Sequence, residues 1–444
     1  MTRHDDRTVP VTSGGPSLTR RSLMRLTASM TAVGASVGLS ACGPSSGRTE
    51  IEVIQYKPEA VKVFEELEGK FNATHDDIHL TITSPNDAMT VIKTRFIRED
   101  YPDIIGIGGD INYSNFVDAN ILADLSDYAG LDNVKQSYRD ILESLEYVPT
   151  EGSFGVPYMS NAAGILYNRQ MFEQHGWALP GTWTELCELC ERIRGEGVLP
   201  IYFGFKDTWT CAAPWNALAV ELAPIDLYQQ VNEGRATFSD YYREPAEKLL
   251  KLCTYAEDGP VAFDYNSACT AFANGEAAMY PIGSYAVPQI LSANPDMDID
   301  SFVMPGSDDT DKLVLNSGVD LQFCVCAACR DKEAAYEVLD FFQEHGSQQG
   351  YVDEQNAVPC STGDFRLPGM LDGMRDYIND AKVADYQDHH YPDEMSVPAM
   401  LQTLVIDGDV DAFLAKFDAD WTRYNRDVIR KVQEYSQAHG QGGN

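Results

Sequence analysis

The stretch from Gly155 to Leu186, GVPYMSNAAGILYNRQMFEQHGWALPGTWTEL, constrains this chain more than any other. Gly155 and Pro157 predict a turn. Ala162 to Tyr167 is small and apolar, the composition of a buried strand with closely packed neighbours. Asn168 closes that strand and caps a short helix; Gly176 ends the helix, and Trp177 and Leu179 pack its end. Thr182 opens a second helix, with Glu185 three residues on as its capping-box partner. Strand and helix alternate on both sides of this stretch, so it reads as a strand connecting two α/β halves.

Before it, Ile51–Tyr56 is a strand. Pro58 opens a helix whose apolar stripe is Val61, Phe64, Leu67 and Phe71. Ile78–Thr83 is a second strand, Asp87 caps a helix through Ile92 and Phe96, and Asp103–Ile107 is a third strand. This β-α-β-α-β order predicts a mainly parallel sheet with ligands at the strand carboxyl ends. The loops there hold Tyr56-Lys57, Ser84-Pro85-Asn86 and Gly108-Gly109-Asp110. After the connecting stretch come a strand over Leu199–Phe205, the loop Asp207-Thr208-Trp209, a helix over Pro214–Leu222 and the segment Phe272–Met279 followed by Gly283-Ser284-Tyr285. Glu333–Phe342 is an amphipathic helix, and the remainder is helical, with Trp421 on a face with Phe413 and Phe417.

Several of these segments occur in an order that resembles family 1 of the bacterial extracellular solute-binding proteins, the maltose-binding-protein-like lipoproteins of carbohydrate ABC transporters. They are Pro157-Tyr158, Ile165-Leu166-Tyr167-Asn168, Thr182-Trp183-Thr184-Glu185-Leu186, Pro102-Asp103-Ile104-Ile105 with Asp110, and Phe272-Ala273-Asn274-Gly275-Glu276-Ala277-Ala278-Met279. Asn120-Ile121-Leu122-Ala123-Asp124-Leu125 matches a Gly-Leu-Leu-x-Asp-Leu pattern; asparagine tolerates the left-handed geometry that the usual glycine adopts. The resemblance implies a periplasmic-binding-protein-like α/β fold, with two lobes joined by a multi-strand hinge and a ligand cleft between them. One lobe would comprise 49–157 with 299–358, the other 158–298 with 359–444. The chain would cross near Tyr158, Met304 and Pro359, Phe302–Gly306 being the return to the first lobe. A sugar site needs flat aromatic surfaces for ring faces and short polar side chains for hydroxyls. By the resemblance, Asp110 matches a sugar-contacting aspartate, and Asn161 stands where the family has a hinge glutamate. Asp207 and Trp209 match an acidic-x-aromatic pair, and Tyr285 replaces a stacking tryptophan. Ile107 stands where a further tryptophan would stack. Tyr56, Lys57, Asn86 and Asp320 complete the candidate ligand set.

The first 41 residues read as an export signal rather than fold. Thr19-Arg20-Arg21-Ser22-Leu23-Met24-Arg25 resembles a twin-arginine motif, and a short, weakly apolar run follows from Leu26 to Leu39. Leu39-Ser40-Ala41-Cys42-Gly43 resembles a lipobox, so Cys42 would carry the acyl anchor and 42–48 the tether. The mature chain would then stand on the extracellular face of the bacterial cytoplasmic membrane. Residues 1–41 hold five Arg and two Asp, so the chain's 33 basic and 68 acidic residues fall to 28 and 66, and the net charge moves from −35 to −38. Such a surface excludes nucleic acid and anionic lipid as partners. The expected partners are a carbohydrate and the permease subunits of an ABC importer, met by a monomer.

Nine cysteines follow Cys42. Cys187 and Cys190 share a helical face, and Cys324, Cys326 and Cys329 sit in the apolar run FCVCAAC; all read as small core residues rather than a metal or cluster site. His389-His390, among Asp385, Asp388, Asp393 and Glu394, reads as a solvated loop. No metal and no cofactor is expected. Gly-x-Ser-x-Gly, His-Glu-x-x-His and phosphate-cradling loops are absent from the sequence, so no enzyme is expected. The rival class is a cell-surface carbohydrate hydrolase, which needs only two placed carboxylates. A membrane-anchored adhesin is a third, disfavoured by the alternating α/β pattern.

Overall fold

A computed structural model describes residues 48–439; the export signal and Cys42 lie outside them. Twelve strands occur among the described residues: β1 (Thr49–Gln55), β2 (Ile78–Thr83), β3 (Ile104–Ile107), β4 (Val156–Ser160), β5 (Ala163–Asn168), β6 (Leu199–Ile201), β7 (Ala277–Gly283), β8 (Ile299–Phe302), β9 (Leu315–Asn316), β10 (Val319–Val325), β11 (Val358–Pro359) and β12 (Val383–Ala384). They form two sheets. The first runs β11-β4-β10-β3-β1-β2; the second runs β12-β9-β5-β7-β6, with β8 also paired to β5.

β1 pairs in parallel with β2 and with β3, as the alternating pattern requires. The intervening helix Val61–Thr74 buries Val63, Phe64, Leu67 and Phe71 against the sheet, so Val63 takes the place expected of Val61. Phe64 meets Phe323 of β10 edge-on at 6.1 Å, and Cys324 and Cys326 fill small spaces in the same core. A second core lies around Trp215, Tyr242, Phe417 and Trp421, and a third around Phe272 and Tyr280. Cys190 and Cys211 belong to the second and Cys269 to the third. Each lobe thus buries its own apolar layer, as a chain of this length requires.

Local signals in the connecting stretch act much as their chemistry dictates. Asn168 Oδ1 accepts from Met171 N at 3.0 Å. Gly176 has φ +64°, and Asn120 adopts φ +57°, the left-handed geometry expected of it. Thr182 Oγ1 accepts from Glu185 N at 3.2 Å, while the Glu185 carboxylate reaches back to Gly181 N at 2.8 Å, one residue short of a strict box. Trp177 is buried, but Leu179 is 44% exposed. Pro157 lies inside β4 rather than in a turn. It pairs opposite Gln322, where a register shift in β10 removes the need for the missing N–H. Asp87 precedes the helix Ala88–Ile97 without a side-chain cap bond.

The largest departures concern the crossings. β4 reaches Ser160 in the first sheet and β5 begins at Ala163 in the second, so the chain passes at Asn161-Ala162 rather than Tyr158. β8 is not a return to the first lobe: it pairs antiparallel to β5, Ile165 opposite Phe302 and Asn168 opposite Ile299. Gly306 stays there too, its N–H donating to Glu221 at 2.8 Å. A Pro-Gly turn reverses the chain but does not choose the next sheet; the passage comes at Ser317-Gly318, between β9 and β10. After β11 the chain keeps to the first lobe, with Thr362 N bonded to Asn133 O and Arg366 N to Gln349 Oε1. It reaches the second lobe with the 3-10 segment Gly369–Met374, which packs on β8. The strand expected over Leu199–Phe205 stops at Ile201. Beyond it the buried Glu257 carboxylate takes the N–H groups of Phe203 and Gly204, replacing a neighbouring strand.

Gly373 fixes the third passage. A Cβ there would come within 2.0 Å of the Ser301 carbonyl oxygen, a backbone atom that cannot yield, whereas Gly369 has nothing within 4 Å. Gly373→Ala should therefore destabilise the protein by about 2 kcal/mol or more, the scale of an overpacked site. Gly369→Ala should stay within about 0.5 kcal/mol. Chemical denaturation of the two variants checks this; equal stabilities would refute the close approach.

Candidate ligand-binding cleft

Because β1, β2 and β3 are parallel, their carboxyl ends lie along one edge of the first sheet. β10 runs against both β3 and β4, so β10 starts and β4 ends at that same edge. The edge thus carries Tyr56 and Lys57 after β1, Asn86 after β2, Asp110 after β3, Asn161 after β4 and Asp320 at the head of β10. Fully buried Gln55 braces the first of these loops, donating to the Lys57 carbonyl at 2.8 Å and accepting from Lys57 N. Lys57 Nζ lies 2.7 Å from Asp320 Oδ1, and Asn161 Nδ2 donates to the same oxygen at 3.2 Å. Tyr56 Oη donates to the Asp320 carbonyl. Burial works against the Lys57 charge, but the Asp320 carboxylate outweighs it and holds the ammonium well above its ordinary range. Asp110 caps the helix Ile111–Asp118, Oδ1 accepting from Asn112 N at 2.8 Å.

The second sheet presents a matching edge. β5 is antiparallel to β7 and β9, while β6 runs with β7 and β12 with β9. The carboxyl ends of β6, β7, β9 and β12 therefore share that edge. It carries Asp207 and Trp209 after β6, Tyr285 after β7 and the segment Asp385–His390 after β12. Trp209 is 43% exposed, with its ring 4.9 Å from Tyr265 and 6.0 Å from Tyr285. Asp207 Oδ2 accepts from Tyr265 N at 2.9 Å and ties the Trp209 loop to the helix Tyr265–Ala273.

The two edges meet. Tyr386 Oη donates to Asn161 Oδ1, and Ser317 Oγ donates to the Asn161 carbonyl at 2.7 Å. Farther out, Tyr228 Oη donates to the Ser144 carbonyl at 2.8 Å, and Lys431 pairs with Asp118. The space left there, between Glu146, Tyr228, His390 and Asn425, is about 20 Å³, room for one water. A wider hollow, about 680 Å³, lies instead on the open surface of the second lobe beside Trp183 and Tyr241. Its Lys248 is committed to Glu244 at 2.8 Å and to the Gly306 carbonyl.

His389 and His390 do not form a solvated loop; both pack between the lobes. His390 is 8% exposed and stacks on Tyr228 with ring centres 3.7 Å apart. Burial pulls its imidazole down to about 4, despite Asp385 at 3.7 Å. His389 donates through Nδ1 to Asp385 Oδ1 at 2.8 Å. Burial lowers it too, but Asp385, with smaller help from Asp388 and Asp110, raises it to about 9. Asp388 is raised by burial and bonded by Asn216 Nδ2 at 2.9 Å.

Of the residues expected at the site, Tyr56, Lys57, Asn161 and Asp320 join one hydrogen-bonded chain, and Trp209 and Tyr285 join one aromatic group. Asp207 braces rather than faces the opening. Asn86 is exposed at the end of its edge. Tyr265, Tyr386, Asp385 and His389 were missed. Only the histidine among acidic residues gave a signal, and the sequence did not reveal that Asp385 would be buried.

A family model for bacterial extracellular solute-binding proteins matches residues 55–349. The chain belongs to this family. Among its relatives, the multiple sugar-binding protein of Streptococcus mutans is 27% identical over 335 residues, spanning 72% of this chain and 78% of its own. A probable sugar-binding periplasmic protein of Brucella melitensis is 23% identical over 354 residues, spanning 74% and 81%. The solute-binding fold itself is matched by apo RafE from Streptococcus pneumoniae, with a TM-score of 0.75 at 22% identity over 88% of this chain and 99% of that one.

For this solute-binding protein the His390 stack sets an acid limit. Its imidazole titrates below the ordinary 6.5, so it costs nothing above that pH, and its full penalty is reached below about 4. At about 1.4 kcal/mol per pH unit the gap is worth roughly 3 kcal/mol. His390→Phe keeps a ring on Tyr228 and should flatten that part of the stability profile between pH 6.5 and 4. Identical acid branches in denaturation of the two proteins would refute this.

Proposed function

We propose that the protein captures a carbohydrate between its lobes and delivers it to the permease of an ABC importer. The carrying observation is the facing of two unlike walls. One offers the polar set of Lys57, Asp110, Asn161 and Asp320; the other offers the aromatic group of Trp209, Tyr265 and Tyr285. Hydroxyls need the first and ring faces the second. The titles of two similar structures support the reading, one of RafE with raffinose and one of a Bacillus licheniformis sugar transporter with stachyose.

The lobes in this reading are 49–160 with 319–366, and 163–316 with 369–439. The three passages between them are the hinge, and closure brings the walls together around the ligand. The protein acts as a monomer held to the cell by acylated Cys42, and it returns its sugar intact. No helix among the described residues is long and apolar enough to cross a membrane.

Trp209→Ala should weaken binding of a sugar found by thermal-shift screening by ~2 kcal/mol, the scale of a hot-spot aromatic, or roughly thirtyfold. Stability without ligand should hardly change, because the ring is 43% exposed. Normal binding with lost stability would make Trp209 a packing residue instead. Product analysis should recover the sugar unchanged; cleavage would favour a hydrolase. For the anchor, Cys42→Ala should move the protein from the membrane fraction into the medium, and unchanged retention would refute it.

A further inference from the structure

We propose that His389 is a ligand-binding residue of the cleft, donating from Nε2 to a ligand hydroxyl on the wall that faces Asp110. The proposal rests on the carbohydrate reading above and adds a charged donor that neither the sequence pattern nor the likeness to known proteins assigns.

Asp385 follows β12 directly and is 4% exposed. The turn Gln387–His390 folds back so that the Asp385 carboxylate takes His389 Nδ1 at 2.8 Å. The ring is also steadied by Tyr386, 5.0 Å away at 48°. A carboxylate on Nδ1 fixes that nitrogen as a donor and orients the second nitrogen away from it. Nε2 has no protein partner among the described residues, and the side chain remains 24% exposed. Asp385 Oδ2 also lacks a hydrogen-bond partner within the protein, so its charge is left to its two histidines.

The charged and titratable groups around the ring are Asp385, Asp388, His390 and Tyr386 on its own segment, and Asp110 from the first lobe. The passage packed beneath the ring adds only Gly318, whose Cβ position lies 2.6 Å from His389 Cε1. Three carboxylates against one neutral histidine keep His389 an imidazolium at neutral pH, with both nitrogens donating. The wall therefore offers a cationic donor, and Asp110 opposite offers an anionic acceptor. A hydroxyl serves both, since it accepts from one and donates to the other. A ligand carboxylate would be repelled by Asp110, and a ligand ammonium cannot accept from His389. The pairing selects neutral polyols. His390, one residue on, is neutral and stacked, so the adjacent imidazoles divide into a structural ring and a binding ring.

Calorimetric titration of the full-length protein with raffinose, at pH values from 7 to 10.5, tests this. Wild-type affinity should hold to about pH 8 and then fall about tenfold as His389 loses its proton near 9. His389→Phe should bind about tenfold more weakly at pH 7 and show no further loss with pH. Removing the imidazole leaves Asp385 buried without its partner, so Asp385→Asn with His389→Gln supplies a folded control. That pair keeps a neutral donor, and its affinity should be independent of pH. Raffinose carrying a carboxylate or an amine at C6 of its galactose should bind the wild type at least tenfold more weakly. Unchanged binding by both variants, or a flat wild-type profile to pH 10.5, would overturn the role of His389. Equal affinity for the charged sugars would overturn the selectivity. If raffinose, stachyose and chitotriose all fail to bind the wild type at pH 7, the carbohydrate reading falls, and this proposal falls with it.

Discussion

The carboxylate of Asp320 is the interaction on which the arrangement turns. It sits at the head of β10, where the chain has just re-entered the first lobe, and it is shared by Lys57 at 2.7 Å and Asn161 at 3.2 Å. A half-buried carboxylate is stabilised by such partners, and removing Lys57 would leave it without its counter-charge. Its partners come from the ends of β1 and β4, so satisfying one acid fixes three strand ends relative to each other. Asn161 then passes the constraint on, accepting from Tyr386 across the gap. The electrostatics of one side chain therefore set the position of the opposite wall.

Much of this was legible from local chemistry. The parallel order of β1, β2 and β3 follows from alternating apolar periods, and the caps at Asn168 and Thr182 and the left-handed Asn120 follow from side-chain hydrogen bonding and sterics. What failed was everything decided by pairing at a distance. β8 carries the same strand signal whichever sheet it joins, and its choice of β5 depends on a neighbour more than a hundred residues earlier. Strand β12 has only two residues, too short for any period, so the segment behind it looked like solvated loop. Its burial comes from Gly318, Tyr228 and Asn161, none of them near it in sequence.

The two walls also differ in make-up. The first is a lattice of hydrogen bonds anchored in a sheet and braced by buried Gln55. The second presents aromatic rings on the loops after β6 and β7, the first of them tied to the helix Tyr265–Ala273 by Asp207 to Tyr265 N. Ring faces tolerate rotation and sliding, whereas carboxylates and amides do not.

The thiols give the fold a clock. All nine cysteines among the described residues are unpaired; six are buried, and these are spread over all three cores. Burial pushes thiols such as Cys211 and Cys360 far above their usual titration range, so they neither ionise nor meet reagent while their core is intact. Each can be alkylated only during an excursion that opens its own lobe. The labelling rate at Cys360 therefore times openings of the first lobe, and that at Cys211 times openings of the second. Their ratio reports whether the two halves of the molecule unfold together or apart.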